Sequence, residues 1–511
     1  MIRYLQQLLC FSSHPKRSKD TKTPLEGTSE NANLIRSIQK KALRARLPNI
    51  RTSEHAVVTV VSPLVAPSIG TNNICTATYH RNAETTVSFS SANIDSSPSY
   101  QKVNIGSSAT PFDNDGTPYV PILQADGTLR PPQISYSGYG SYGGRFIPES
   151  IVGFLHDLTS FFEVTVSDPS FWAEYATFQR PQPTPLQMAS KLTTLVGGAT
   201  IWLKREDQNE YGSHKTRNII GQLLLARRMG RIEIVTDCAS AKHGNFTAVM
   251  CARLGLRCVV IMGADDAQAQ EEDVLEMKML GAKILTARTP SGMSSLRAAI
   301  TEALRYLVCN FETTYYLMGG PVGPHPLPTL TRTFQALLGE EVAVQLQGLT
   351  GCQPDAVVTA VGSGSGAVGL FRPFLQSPAI RLVGVEAAQA ATLTEGELGV
   401  LQGARTLMLQ NDDGQLLDSH SISPDMNIST VGPEVAHWNS IGRIEISTAS
   451  DADALDGFKT LQHHEGFLAG LDSSHAVNKA VSMAKELGPG KNLVLLVTGC
   501  DGIGMHGLLD V

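Results

Sequence analysis

The sequence predicts an α/β protein of two lobes, each a mostly parallel sheet covered by helices, preceded by an irregular extension. From about Gly144 to Val511, short apolar runs rich in β-branched residues alternate with stretches of helical periodicity. This alternation is typical of parallel sheets with helices on their faces. The alternating region takes up too much of the 511-residue chain to form a single sheet. We therefore expect two lobes with a cleft between them.

The individual elements follow from the same pattern. One strand-like run, AVVTVV, and one basic amphipathic stretch precede the alternating region, at 56–61 and 34–47. The predicted strands of the alternating region are 199–203, 232–236, 258–262, 283–286, 356–361, 381–385 and 493–498. The predicted helices are 214–229, 244–254, 270–280, 294–308, 328–345, 365–375, 451–464 and 473–486.

Composition divides the chain at about residue 135. Residues 1–135 form a low-complexity basic and polar extension, which we expect to be mostly disordered, and residues 136–511 form the folded region. The first 51 residues hold eleven Lys and Arg against three acids, a net charge of +8. This segment is interpreted as a solvated tail of a cytoplasmic protein, with a mitochondrial targeting segment as the alternative.

Charge and cysteine usage exclude several classes of protein. With 41 Lys and Arg against 47 Asp and Glu, the net charge of −6 argues against a nucleic-acid partner. No run of 18 apolar residues occurs, so no membrane partner is expected. The eight cysteines are scattered without a C-x-x-C pair, which favours buried thiols in a reducing compartment over disulfides or a metal site.

The first segment that carries chemistry is LKREDQNEYGSHKTRN at 203–218, where a strand leads through a polar turn to Lys215 at the start of a helix. Backbone dipoles at a helix start lower the pKa of a lysine amine, which can then form a Schiff base. Taken alone, a lysine in a first turn is more often a solvated surface group.

The second segment is AVVTAVGSGSGAVGLF at 356–371, a buried strand followed by five small residues and a helix. Small residues allow backbone N–H groups to surround an anion, so the pattern favours phosphate binding over an ordinary tight turn. The loop lacks the lysine of a nucleotide-binding loop and departs from G-x-G-x-x-G, so neither ATP nor NAD is favoured.

Two further strand ends carry polar groups. VTDCASAKHGN at 235–245 places Asp237, a candidate acid or base, before another helix start, and a simple capping loop is an equal alternative. LVLLVTGCDGIG at 493–504 ends a buried strand at Thr498, whose hydroxyl could bond a neutral ring nitrogen. By itself this last pattern is more often an ordinary turn.

Together and in this order, these segments resemble the fold type II pyridoxal-phosphate-dependent enzymes, and among them the tryptophan synthase β family. The resemblance extends over residues 143–504. It includes GGRFIPES, IWLKREDQNEYGSHKTRN, CARLGL, MGADD, ETTYYLMG, GPHPLP, GVEAA, HSIS, VGPE and HHEGFLAGLDSSHA. It implies an N-terminal lobe of 136–180 and 214–335, and a C-terminal lobe of 181–213 and 336–511.

The resemblance assigns site residues one by one. Lys215 matches the lysine that carries pyridoxal phosphate, and Asp237 the catalytic carboxylate. Residues 237–244 match the loop that binds the substrate carboxylate through backbone N–H groups, which comprises Ala239, Ser240, Ala241, Lys242 and His243. The implied cofactor contacts are His214 and Ser365 at the phosphate, Gly362, Ser363 and Gly364 in the glycine loop, Glu465 near the cofactor ring, and Thr498 at the ring nitrogen, with Cys500 as the alternative to Thr498.

The family's chemistry implies a lyase reaction in which L-serine and indole give L-tryptophan and water. It also implies a homodimer and allows a monovalent cation as a further cofactor. The family's α-type subunit is a barrel of about 250 residues, and the first 140 residues here are too short and irregular to form one. Indole would therefore come from a separate chain, from solution, or not at all.

Three features of the sequence depart from the family pattern. The glutamate of the family motif ETGAGQHG is Asp237 here, one methylene shorter, and the glutamine of that motif is Lys242. The glycine loop, usually GGGSN, has Ser363 and Gly366 in place of a glycine and the asparagine. The arginine and aspartate that pair when the family's mobile region closes align with Ala269 and Asn427.

These departures keep three hypotheses open. The first is tryptophan formation. The second is a paralogous enzyme that performs β-elimination, as a serine deaminase does, or adds another nucleophile at the same carbon. The third is a catalytically silent scaffold, which is disfavoured by the retained Lys215, Asp237 and glycine loop.

Overall fold

The computed structural model of the chain describes residues 139–179, 183–288 and 295–499, together with five short strands that precede them. By its internal contacts the chain divides into two units, Met1–Ala109 and Thr110–Val511. In the first unit a three-stranded antiparallel sheet is described, and its first strand lies within the predicted run at 56–61. The predicted helix at 34–47 and the basic tail lie outside the described residues.

In chain order, the strands are β1 (Val57–Thr59), β2 (Ile74–Thr78), β3 (Val87–Ser90), β4 (Ile122–Leu123), β5 (Leu129–Arg130), β6 (Leu186–Met188), β7 (Thr200–Arg205), β8 (Glu233–Cys238), β9 (Arg257–Gly263), β10 (Lys283–Ala287), β11 (Thr314–Leu317), β12 (Ala356–Ala360), β13 (Arg381–Ala387), β14 (Glu397–Leu401), β15 (Ala404–Met408), β16 (Glu445–Ala449) and β17 (Asn492–Val497).

The α-helices are α1 (Val152–Ser167), α2 (Pro169–Phe178), α3 (Ser190–Val196), α4 (Thr216–Arg228), α5 (Ala241–Leu254), α6 (Ala264–Ala269), α7 (Glu271–Met279), α8 (Ser295–Asn310), α9 (Leu327–Gln335), α10 (Leu337–Thr350), α11 (Ser365–Leu370), α12 (Thr392–Glu395), α13 (Pro433–Ser440), α14 (Asp451–Glu465), α15 (Leu471–Ser474) and α16 (Val477–Leu487). Among the described residues, no helix is both long and apolar enough to cross a membrane.

Two parallel sheets organise the larger unit. The first has four parallel strands in the order β10-β9-β8-β11. The second has six strands in the order β16-β13-β12-β17-β7-β6, and only β6 is antiparallel to its neighbour. Two largely parallel sheets with helices between their strands confirm the predicted fold class. The strands of each sheet also fall within the two discontinuous lobes that the resemblance implies.

The six-stranded sheet is apolar on both faces, which explains its continuous runs of β-branched residues. Successive side chains of a strand point to opposite faces. Val357 packs into one core and Val358 into another, and Val494 and Leu495 divide in the same way. Helices cover both faces, so nearly every position of these central strands is buried and the sequence shows no polar alternation.

All seven strands predicted for the alternating region are present, with ends displaced by at most two residues. The predicted helix at 328–345 is wrong as one element, because the structure has two helices that meet at Ala336. The predicted helix at 365–375 ends as an α-helix at Leu370 and continues as a 3-10 turn, Arg372–Phe374, that includes Pro373. Proline has no N–H to donate to the preceding turn.

Four buried charged side chains connect the two lobes. Arg217, in the first turn of α4, donates to Glu206 at 2.6 Å and to Glu341 at 2.7 Å. Lys204 of β7 also donates to Glu341, at 2.7 Å. Each of the four is at most 8% exposed. Because a buried charge is tolerated only when it is paired, this network fixes α4 against β7 and α10.

We expect Arg217→Met to lower the free energy of unfolding by about 3–5 kcal/mol, because it leaves Glu206 and Glu341 without their shared partner. The control is Arg381→Met at a partly exposed arginine that also pairs with two carboxylates, at 2.7 and 2.9 Å. We expect that change to cost about 1 kcal/mol or less. Urea unfolding of both variants measures the difference, and equal losses would contradict a dominant role for the buried network.

Candidate active site

The predicted site residues lie at the carboxyl ends of the two parallel sheets. Asp237 is near the end of β8, Gly362 follows β12, and Thr498 follows β17. Lys215 lies ten residues beyond the end of β7. The carboxyl ends of parallel strands share one edge of their sheet, and open α/β sheets bind ligands there. A cavity at these strand ends is lined by His214, Lys215, Gly362–Gly366, Asp425, Asp472 and Thr498, among others.

Lys215 directly precedes α4, and its side chain points into this cavity. The turn before it bends sharply, since Gly212 has φ of +64° and lies so close to Gly499 that a Cβ would be 3.2 Å from the Gly499 Cα. The Lys215 Nζ is 3.0 Å from Oδ1 of Asp425. Burial lowers the pKa of the Lys215 amine, but the Asp425 carboxylate more than offsets it, so the pKa is raised overall.

The glycine loop after β12 has the shape of an anion-binding loop. Gly364 has φ of +97°, where glycine is favoured, and a Cβ there would lie 2.8 Å from Val435. Gly362 is equally constrained, since its Cβ would lie 2.4 Å from the Asp425 carbonyl oxygen. Ser363 and Gly366 also line the cavity, so the two departures from the family loop leave no bulky side chain there.

His214 lies against this loop, with its Nε2 at 2.9 Å from Oγ of Ser365. Burial lowers the pKa of His214 to about 4, so the imidazole is neutral at pH 7. Its Nδ1 is buried and has no hydrogen-bond partner among the residues that the structure describes. An unpartnered ring nitrogen beside a loop of small residues fits a site completed by a bound polar group.

Thr498 lies on the wall of the cavity, where its hydroxyl donates to Oδ1 of Asp472 at 2.5 Å. The placement of Glu465 at the cofactor ring requires correction. Glu465 is the last residue of α14, and its carboxylate accepts from the backbone N–H of Leu192 in the first turns of α3. It is engaged in capping a helix, whereas Asp472 and Asp425 are acids that line the cavity. Cys500 lies outside the described residues.

Asp237 is buried at the end of β8, and its Oδ1 accepts a hydrogen bond from the Tyr316 hydroxyl at 2.7 Å. Burial raises the pKa of the Asp237 carboxyl, and the negative charge of Asp425 raises it further. Both effects favour the protonated acid, which is able to donate a proton. Tyr316 of β11 holds the carboxyl in a fixed orientation.

A second cavity adjoins the first, and Lys215, Ser363 and Asp425 line both. Asp237 and His243 form its polar side. The opposite wall is apolar and consists of Ala239, Leu296, Ile300, Val322 and Ile428. The second cavity therefore combines an apolar wall with two acidic side chains, Asp237 and Asp425.

His243 has a defined tautomer. The Thr236 hydroxyl donates to the Leu317 carbonyl at 2.8 Å, so it accepts from Nε2 of His243 at 2.9 Å. Nε2 therefore carries the proton, and Nδ1 is a buried acceptor without a partner. Burial lowers the pKa of His243 to about 3.

The other members of the predicted substrate loop differ in the contacts that they make. The Ala241 backbone N–H donates to Gln270 at 2.7 Å, and the Lys242 Nζ donates to the Gly499 carbonyl. The Ser240 hydroxyl is buried and has no hydrogen-bond partner among the described residues. Of the side chains of this loop, Ala239 and His243 line the second cavity and Ser240 lines neither cavity.

The two aligned closure positions lie on separate segments. Ala269 is the last residue of α6. Asn427 follows the 3-10 turn Pro424–Met426, and its Oδ1 accepts from Ser419 at 2.9 Å. A methyl group and an amide cannot form the salt bridge of the family.

Sequence reasoning missed three residues of the site: Tyr316, Asp425 and Asp472. Tyr316 and Asp472 fall inside stretches that carry the family resemblance, ETTYYLMG and HHEGFLAGLDSSHA, so those stretches were a usable signal. Asp425 lies between HSIS and VGPE, where the chain departs from the family. Only the tertiary structure places it at the Lys215 amine.

Residues 177–499 match the family described as pyridoxal-phosphate dependent enzyme, and the chain belongs to this family. Over 372 residues it is 42% identical to a protein named tryptophan synthase from Saccharomyces cerevisiae (strain ATCC 204508 / S288c). That alignment covers 71% of this chain and 52% of the relative, so it spans about half of the relative's length.

The residues present fit pyridoxal phosphate. The small-residue loop and the unpartnered Nδ1 of His214 suit its phosphate, and the Lys215 amine in the same cavity suits its aldehyde. Within residues 139–179, 183–288 and 295–499, no group of three or more His, Cys, Asp or Glu side chains is arranged to hold a metal ion.

The buried state of His243 predicts a pH-dependent stability. Between pH 6.5 and about 3 the unfolded chain protonates this histidine and the folded chain does not, so its protonation favours unfolding as the pH falls. Relative to His243→Asn and His243→Gln, the wild type should therefore lose about 2 kcal/mol between pH 7 and pH 5. Urea unfolding at both pH values measures this, and a stability gap independent of pH would show that His243 titrates normally in the fold.

Proposed function

We propose that this chain catalyses the pyridoxal-phosphate-dependent replacement of the L-serine hydroxyl by indole, giving L-tryptophan and water. The observation that carries the proposal is the second cavity, where an apolar wall faces Lys215 and Asp237. The 42% identity to a protein named tryptophan synthase supports it. The reaction breaks the Cα–H and Cβ–O bonds of serine, forms a bond from Cβ to an indole carbon, and returns a proton to Cα.

Bound pyridoxal phosphate supplies an electron sink that makes the α-proton of serine acidic. Lys215 is proposed to carry the cofactor and then to move this proton through its Nζ, removing it from Cα and later returning it. His214, Ser365 and the glycine loop 362–364 are proposed to hold the phosphate, and Thr498 to face the ring nitrogen.

Asp237 is proposed to act at the other end of the reaction. In its protonated form the carboxyl donates a proton to the departing hydroxyl, which leaves as water. The resulting carboxylate then accepts the proton that indole loses when its new bond forms. The raised pKa of Asp237 favours the protonated starting form, and Tyr316 orients the group.

The substrates are proposed to lie on opposite sides of Asp237. The backbone donors of loop 239–243 would bind the serine carboxylate. The apolar wall formed by Leu296, Ile300, Val322 and Ile428 would cover the indole ring and exclude water from the reacting carbon.

A second candidate function is β-elimination from serine, or replacement by another nucleophile. It is favoured by the short carboxyl side chain of Asp237, which is held by Tyr316 at the end of a buried strand. Hydroxide leaves close to the cofactor, whereas indole must be oriented at its more distant ring nitrogen, so a shorter acid would impair addition more than elimination.

Assembly, location and accessory ions are also proposals. The family resemblance supports a homodimer, leaves room for a monovalent cation, and leaves open whether a separate α-type chain supplies indole. A cytoplasmic location and the mitochondrial alternative both depend on the N-terminal segment, which lies outside the described residues.

The role of Lys215 is tested by fixing the cofactor with borohydride. The wild type should retain the cofactor covalently after reduction, on the peptide that contains Lys215. Lys215→Ala should retain none and should lose turnover, because no other lysine lines the described part of this cavity. Fixation of the cofactor in Lys215→Ala at the wild-type level would disprove the assignment.

The role of Asp237 is tested by measuring pyruvate and tryptophan formed from serine with and without indole. We expect Asp237→Asn to depress both products about 100-fold or more, the usual scale for a general acid or base. Asp237→Glu should raise the tryptophan share, because the longer side chain reaches further towards the ring nitrogen. Asp265→Asn, at an exposed aspartate, is the control for losing a carboxylate. Wild-type rates in Asp237→Asn would eliminate this role.

A further inference from the structure

The carboxylate of Asp425 is the acid in direct contact with the Lys215 amine. Its Oδ1 lies 3.0 Å from the Nζ, and the two side chains are only 23% and 14% exposed. The residue comes from the short 3-10 turn Pro424–Met426 of the six-stranded lobe, whereas Lys215 begins a helix of the other lobe. The pair therefore joins two segments that are 210 residues apart in the chain.

Asp425 has a central position in the site, because it lines both cavities. The turn that carries it packs directly on the glycine loop, where its carbonyl oxygen occupies the space that a Cβ of Gly362 would need. The carboxylate is thus held beside the place where Lys215 would meet the cofactor aldehyde.

We propose that Asp425 is the counter-ion of Lys215, a carboxylate that keeps a proton on the lysine nitrogen and holds that nitrogen over the cavity. This inference rests on the proposed role of Lys215 as the carrier of the cofactor. It makes Asp425 a positioning residue, because it acts on the reaction through Lys215.

The charges around the pair support this role. A lysine that is buried without a partner tends to lose its proton, because burial disfavours the charged form. Asp425 reverses that tendency at Lys215, and its own pKa is lowered by Lys215, Lys242 and His243 in spite of burial. The titratable groups that face the pair are His214, Asp237, Cys238, Lys242, His243, Asp266 and Asp472.

The same carboxylate acts on Asp237, although they do not form a hydrogen bond with each other. Two carboxyl groups near one site repel when both are ionised, so the charge on Asp425 favours the protonated form of Asp237. Asp425 thus favours the protonated state of both Lys215 and Asp237, whereas the positive charge of Lys215 opposes protonation of Asp237.

The test measures cofactor capture by the cofactor-free full-length chain, with pyridoxal phosphate as the probe. The neutral Lys215 amine adds to the aldehyde carbon and a water leaves, so the capture rate rises as the amine loses its proton. Capture is followed by borohydride fixation at timed intervals between pH 6 and pH 10. Asp425→Asn should lower the midpoint of the rate profile by at least one pH unit and speed capture at pH 7 about tenfold or more.

Two further variants separate the electrostatic role from a structural one. Asp425→Glu keeps the charge and should return the midpoint towards the wild-type value. Asp425→Ser also removes the charge, so it should lower the midpoint as Asp425→Asn does, and it replaces Asp425→Asn if that variant folds poorly. Asp413→Asn, at an exposed hairpin turn, controls for the change in net charge and should leave the midpoint unchanged. As a second readout, the visible absorption of the bound cofactor should titrate at lower pH in Asp425→Asn.

The outcomes are distinguishable. In one outcome, the wild type captures the cofactor on Lys215, and Asp425→Asn and Asp425→Ser have the same midpoint as the wild type. That outcome overturns the counter-ion proposal and leaves the proposed function intact. A wild-type chain that does not fix the cofactor on Lys215 overturns the proposed role of that lysine, and the counter-ion proposal with it. A lowered midpoint that Asp425→Glu restores supports the inference.

Discussion

The buried pairing of Arg217 with two glutamates is the constraint on which the site depends. Glu206 follows a strand of the six-stranded sheet, and Glu341 belongs to the long helix α10. Arg217 lies two residues after Lys215, the lysine that we propose to carry the cofactor. If any of these side chains moved away from its partners, an unpaired charge would remain in the protein interior. The network therefore fixes the backbone at Lys215, and the active-site cavity takes its shape from that fixed point.

Around this point, the site is assembled from strand ends that are remote in the chain. One lobe supplies Asp237 and Tyr316, and the other supplies the glycine loop, Thr498 and Asp425. Parallel sheets make this convergence natural, because the carboxyl ends of all their strands lie along one edge. The Lys215 amine of one lobe is paired with the Asp425 carboxylate of the other, so the protonation of Lys215 depends on a side chain from the opposite lobe.

Much of this architecture was predictable from local patterns. The central strands are continuous apolar runs because both faces of each sheet are covered, and this signal is strong in a single sequence. The elements that were missed have weaker signals. Strand β11 has four residues, and the edge strand β16 is EISTA, of which only Ala449 is buried. The lysine turn, the glycine loop and the acid loop were recognised because each follows a strong strand.

The sequence by itself determined the fold class, the family, and the identity of Lys215, Asp237 and the glycine loop as candidate site residues. The tertiary structure decided which acids face the lysine. Glu465 fits a sequence comparison but caps a helix at Leu192, whereas Asp425 and Asp472 line the cavity. The physical reason is that a carboxylate acts over a few ångströms, and a distance of that kind between segments 210 residues apart is set by packing alone.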